Sequence, residues 1–208
     1  MTASISPAAA AHTATATAAA VVVAAAPAPA AARAWDVDPS HSSANFKVRH
    51  LMVSHVRGEL GPVSGTVWID EQHLERSRVE VSIDACQIAS RDDKRDAHLR
   101  SADFLDVDKH PTVTFRSTRV EKAASGGLRV TGELTIRGTA HPVTLEVDPL
   151  PSAVADPWGN TKRGATARTR INRKDWGLQW NLALETGGVV VGEEVAIEIE
   201  IELVARKG

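Results

Sequence analysis

From Trp35 onward, apolar residues recur at every second position in eight separate runs, and no other feature restricts the fold as much. A chain repeats its face every two residues only when it is extended, so each run describes a strand with one buried and one wet side. Ala44, Phe46, Val48 and His50 alternate with Asn45, Lys47 and Arg49, and Val63, Gly65, Val67 and Ile69 form the second set. Val79, Val81, Ile83 and Ala85 form the third, and Pro111 opens a fourth that continues through Val113 and Phe115. Leu128 to Ile136, Val143 to Val147 and Ala165 to Ile171 follow with the same period. The last run is the cleanest: Val195, Ile197, Ile199, Ile201 and Leu203 face away from Glu198, Glu200 and Glu202.

Turn signals such as Gly126-Gly127, Arg137-Gly138, Trp158-Gly159 and Gly187-Gly188 separate the runs, which describes an antiparallel meander. An eight-stranded sheet with one apolar face must stack or close on itself. The final strand, about 10 residues at roughly 3.3 Å each, suits an elongated barrel better than a sandwich. The expected fold is therefore all-β: an eight-stranded antiparallel lipocalin-like barrel with room for side chains or one small ligand. Gly65, Gly132, Ala165 and Ala167 all fall on the inward side, where small residues leave volume for a cavity. One segment breaks the period. Ser90 to His110 is dense in charge, with Ser90 and Asp93 in capping-box spacing, and predicts one short helix from about Arg91 to Ala102, between strands 3 and 4. Asp96 and Arg100 would pair across one turn of it.

Residues 1–34 are a different kind of chain, Ala-rich with Thr, Val and Pro, and hold one charged residue, Arg33. They are expected to form a disordered leader ahead of a single domain at 35–208. The apolar stretch from Ala18 to Ala26 is far short of the roughly 20 residues of a spanning helix, and no Lys or Arg precedes it, as a secretory signal would require. Cytoplasmic residence is expected, with secretion as the alternative if the leader is a cleaved signal. A net charge of −2, only 4% aromatic residues and no Tyr argue against a nucleic-acid partner. The single cysteine, Cys86, excludes a disulfide framework and a multi-cysteine zinc site.

Several blocks together resemble the YceI-like family. They are Asp38-Pro39-Ser40-His41-Ser42, Phe46 to Leu51, Arg95 to Phe104, His110-Pro111-Thr112-Val113-Thr114-Phe115, Gly132 to Gly138 with His141-Pro142-Val143, and Asn172-Arg173-Lys174-Asp175-Trp176-Gly177. The resemblance covers about Trp35 to Val204. It implies an extended lipocalin-like barrel whose interior binds a polyisoprenoid chain, in a family with both periplasmic and intracellular members.

That resemblance sets the leading function: a carrier or reservoir for an isoprenoid lipid, either a polyprenyl chain or an isoprenoid quinone, with no cofactor and no enzymatic step. Selectivity would come from polar groups at the mouth, because the bilayer competes for the tail. The expected ligand-binding residues are His50, Arg95, Asp96, His98 and Arg100 for the head group, with Phe104, Phe115, Trp176 and Trp180 along the tail or rim. The alternative is an enzyme using the same pocket, with His98 as acid/base and Asp96 orienting it. His41, His50 and His55 are the candidates for a metal cluster, but strand parity sets them apart and no metal is expected. A homodimer stays open as the assembly.

Overall fold

The computed structural model describes residues 31–183 and 188–207, so most of the expected leader lies outside the described residues. The described chain builds one antiparallel sheet from β1 (Arg33–Val37), β2 (Ser43–His50), β3 (Ser54–Glu59), β4 (Val63–Ile69), β5 (Arg78–Asp84), β6 (Thr112–Lys122), β7 (Leu128–Ile136), β8 (Thr139–Val147), β9 (Val154–Ala155), β10 (Thr161–Asn172) and β11 (Val191–Ala205). Strand β11 closes it, since it pairs along one edge with β10 and along the other with β2 and then β1. β1 and β2 run in line, interrupted by the turn at Pro39–His41, and β3 and β4 run in line beside them. β8 and the two-residue β9 likewise pair in succession with β10, so each of these three pairs fills one place in the wall and the eleven strands give the eight expected positions.

The helix α1 (Asp93–Arg100) follows β5 and precedes β6. It is therefore not between the third and fourth strands of the chain, because β1 and β3 come before it. Neither announces itself strongly by period: β1 is five residues long, and the inward row of β3 is only Val56 and Gly58. The helix start also differs from the capping-box reading. Arg91 lies at φ 64°, outside the helical region, and Asp92 is the cap, accepting from Arg95 N at 3.0 Å. Ser90 instead donates its hydroxyl to the buried Asp96.

Parity is otherwise obeyed. Ile197 and Leu203 are buried in the interior while Glu198 and Glu200 are exposed, and Glu202 lies outside against Lys162 Nζ at 2.5 Å. The small inward residues divide into two kinds. A Cβ at Gly132 would stand 2.5 Å from the Phe115 ring, so this glycine makes room for an aromatic side chain, and Gly65 at φ 139° lies against the backbone of Glu80 and Val81. Ala165 and Ala167 alone border open volume.

The wall is weakest between β8 and β10. Among the described residues their register is confined to Val147–Ala167 and Glu146–Arg168, supplemented by Thr169 Oγ1 donating to the Thr144 carbonyl at 2.9 Å.

Candidate functional site

The barrel interior holds two apolar chambers in line. The first, about 140 Å³, lies beneath α1 and is lined by residues that include Phe46, Ile83, Phe115, Leu145, Ile197 and Ile199. The second, about 90 Å³, continues toward Val63, Ile69, Leu128, Ala165, Ala167 and Leu203. Val81, Leu145 and Ile199 border both, so the two are stretches of one narrow tube. An apolar cavity of about 150 Å³ holds one benzene ring and stays dry. The tube therefore suits a thin hydrocarbon, and a long chain would have to spread its walls.

Helix α1 and the loop after it roof the first chamber. Leu99, Phe104 and Leu105 point down into it with Ile88. His98 sits above, edge-on to Phe104 at 5.0 Å and to Trp180 at 4.7 Å between centroids, with Nε2 2.9 Å from Asp103 Oδ2. This carboxylate is Asp103 and not Asp96, whose partner is Ser90, so the dyad required by the enzymatic alternative is not formed. Asp96 and Arg100 do not form their expected pair either: Arg100 donates to the Ile88 carbonyl at 3.2 Å. Arg95 donates to the hydroxyl and carbonyl of Ser90, both at 2.6 Å. These two arginines tie the roof loop to the wall, and neither borders a chamber.

The other expected residues are distributed unevenly. Phe104, Phe115 and Trp176 line the first chamber, and Trp176 fixes its ring by donating Nε1 to the Leu134 carbonyl at 3.1 Å. Trp180 is half-buried at the rim. His50 is at the end of β2 opposite Ser54 and Val191; Val191 lines the first chamber, but His50 itself lines neither. The three histidines weighed for a metal do not converge, because His41 and His50 flank opposite ends of β2 and His55 is registered with Arg49. His41 meets Asp38 and Glu202 instead, where Lys162 Nζ already contacts both carboxylates.

One residue was missed by the sequence reading. Arg173 is buried and is the sole ionisable side chain among the described residues lining the chambers. It begins the 3-10 turn Arg173–Trp176, which Asn172 caps by accepting from Lys174 N at 3.0 Å and Gly177 ends at φ 74°. Three residues per turn put positions 173 and 176 on one face, so the guanidinium and the Trp176 indole enter the chamber together. Its Nε donates to the Gly192 carbonyl at 2.9 Å, one terminal nitrogen to the Leu178 carbonyl and the other to the Val191 carbonyl at 3.3 Å. No carboxylate pairs with it among the described residues. Burial pulls its pKa down and the charge of Glu193 opposes that shift, yet a guanidinium stays charged at neutral pH. The signal was present: Ala165, Ala167, Thr169, Ile171 and Arg173 occupy alternate, inward positions, and an arginine on an inward row is costly unless it serves something.

The sequence blocks and the closed barrel with its roof agree with one family model, the YceI-like domain, which matches residues 35–203. The chain belongs to the YceI-like family. Curated relatives include a UPF0312 protein of Vibrio cholerae, 38% identical over 144 residues, 69% of this chain and 76% of its own length. Protein YceI of Escherichia coli is 36% identical over 172 residues, covering 83% of this chain and 86% of its own. Among solved structures, Burkholderia cenocepacia BcnA superimposes with a TM-score of 0.69 at 22% identity, over 80% of this chain and 98% of that one. A polyisoprenoid binding domain from Saccharophagus degradans, implicated in plant cell wall breakdown, gives 0.61 at 15% identity, over 84% and 99%. These two likenesses establish the shared YceI-like barrel.

Proposed function

We propose that this YceI-like barrel binds a single isoprenoid lipid, with the tail along the two chambers and the polar head at Arg173, as a carrier or reservoir. The observation that supports it most is the pairing of an apolar tube with one buried cation that no carboxylate neutralises. A guanidinium has five N–H groups, and three are engaged by carbonyls, which leaves one on each terminal nitrogen for a ligand. Two parallel donors on a fixed plane fit the oxygens of a phosphate. The polyisoprenoid-binding description of the Saccharophagus degradans neighbour supports the tail chemistry. At roughly 0.8 kcal/mol per buried CH₂ the tail gains much over water but little over a bilayer, so the head group decides selectivity.

Native mass spectrometry of the purified protein tests the tail: a co-purified apolar molecule of isoprenoid mass is the expected result, and an empty barrel would count against it. Arg173→Lys tests the head. It keeps the charge and loses the planar fork, so it should weaken a polyprenyl phosphate about tenfold, roughly 1.4 kcal/mol, and leave the matching alcohol unchanged. Equal losses for both ligands would remove Arg173 from head-group recognition.

A further inference from the structure

We infer that the end of the barrel bearing the β2–β3 hairpin docks on a bilayer surface rich in anionic phospholipid headgroups. The hairpin turn exposes Leu51, Met52 and Val53, the last at 78%, and Leu182 beside it is exposed as well. Leu51 and Met52 adopt φ of 49° and 61°, a left-handed geometry that ordinarily selects Asn or Gly. Keeping bulky apolar side chains in that conformation and in water is doubly unfavourable, which points to a use for them outside the fold.

The strands behind the turn are cationic on their outer face. Lys47 is registered with Arg57 and Arg49 with His55, so like charges stand directly opposite each other. Lys47, Arg49 and Arg57 form no ion pair among the described residues, while the neighbouring Glu193 and Glu194 are already held by Lys174 and Arg170 at 2.5 and 2.7 Å. Partial desolvation of the exposed ring, followed by the charges of Lys47, Arg49 and Arg57, lowers the His55 pKa. An apolar tip backed by uncompensated cations is the arrangement that inserts shallowly between acidic headgroups.

The location suits exchange with a membrane. Leu51 N donates to the Val190 carbonyl at 2.9 Å and Val190 N to the Leu182 carbonyl at 3.0 Å, so the turn rests on the segment that leads into Val191, a lining residue of the first chamber. The other exposed apolar pair, Val154 and Trp158, lies at the far end of β10 beside Asp156, whose carboxylate accepts from Trp158 N at 2.9 Å, and has no row of unpaired cations behind it among the described residues. Among the described residues no helix is long and apolar enough to cross a membrane, and a peripheral contact needs none.

Vesicle flotation with the full chain tests this without any isoprenoid present, so it stands or falls apart from the chamber's ligand. Phosphatidylcholine vesicles containing phosphatidylglycerol should bind the protein, pure phosphatidylcholine should not, and added salt should release it. Replacing Lys47, Arg49 and Arg57 together with Gln should lower partitioning about a hundredfold, at roughly fivefold per cation. Val53→Ser should lower it about tenfold, and Trp158→Ser should leave it unchanged. These positions are exposed, so an unchanged melting temperature confirms that each variant is folded. Binding that ignores vesicle charge, or that survives the triple Gln replacement, overturns the proposal. So does a light-scattering result in which the tip variants convert a dimer to a monomer while vesicle binding persists, because the face would then join two copies of the chain.

Discussion

Asp38 shows how much one carboxylate organises. It accepts from the Ser40 hydroxyl at 2.6 Å and amide at 3.0 Å and from His41 Nδ1 at 3.0 Å, holding the turn that lets β1 and β2 run in line. Chiefly the Ser40 hydroxyl, and then His41, keep its pKa well below the ordinary carboxylate value of 3.8. A carboxylate depressed in the folded state stabilises above its unfolded pKa and loses that stabilisation as pH falls through the folded value. Asp38→Asn should therefore melt lower than the parent at pH 7, and the gap should close progressively below pH 3.8. Thermal melts of both proteins across that range check it, and a gap that is constant with pH would mean the turn is held by something other than charge. Arg173 teaches the opposite lesson, since its charge is buried with no paired carboxylate among the described residues and is held by three carbonyls, with the more distant charge of Glu193 also favouring it.

Strand β11 is the element on which closure depends, because it pairs on both edges along most of its length. Its inner row supplies lining residues to both chambers, with Ile199 common to the two. Ile199→Asp would place an unpaired carboxylate where the two apolar chambers meet and should destabilise the barrel by about 3 kcal/mol or more, while Glu200→Ala one residue along should stay within about 0.5 kcal/mol. Urea denaturation distinguishes the two; comparable losses would mean that the strand does not keep one face dry. This period-two pattern was fully legible in the sequence, and with it Phe115 as an inward residue; Phe104 and Trp176 were expected along the tail or rim and line the first chamber. The roof was not. Charge along Arg95 to Arg100 fits a ligand-facing helix and an anchoring one equally well, and only the folded loop shows that Ser90 and Ile88 offer carbonyls to those arginines.

At the scale of the molecule, the interior is a tube whose bore is set by a few small residues. Ala165 and Ala167 border the second chamber, and a larger side chain there would project into about 90 Å³ of open space. Ala167→Leu should therefore shorten the isoprenoid the barrel accepts: affinity for a long polyprenyl chain should fall by roughly 0.8 kcal/mol per CH₂ excluded, with a short chain confined to the first chamber unaffected. A series of ligands of increasing chain length checks this, with equal weakening at every length as the result that would move the tail elsewhere. Because the first chamber, at about 140 Å³, has the volume of one benzene ring, holding a long chain requires the wall to yield, and the short register between β8 and β10 is where it is least secured.

By itself the sequence determined the strand period, the eight wall positions and the apolar interior, because alternation is a local property that survives wherever the strand is placed. Tertiary structure decided the rest. Which carboxylate meets His98, where Arg95 and Arg100 direct their donors, and how the cations of β2 and β3 come to face one another all depend on chain segments meeting across loops. Hydrogen-bond partners are set at about 3 Å, and strand periodicity places a side chain on a face without naming what it will touch there.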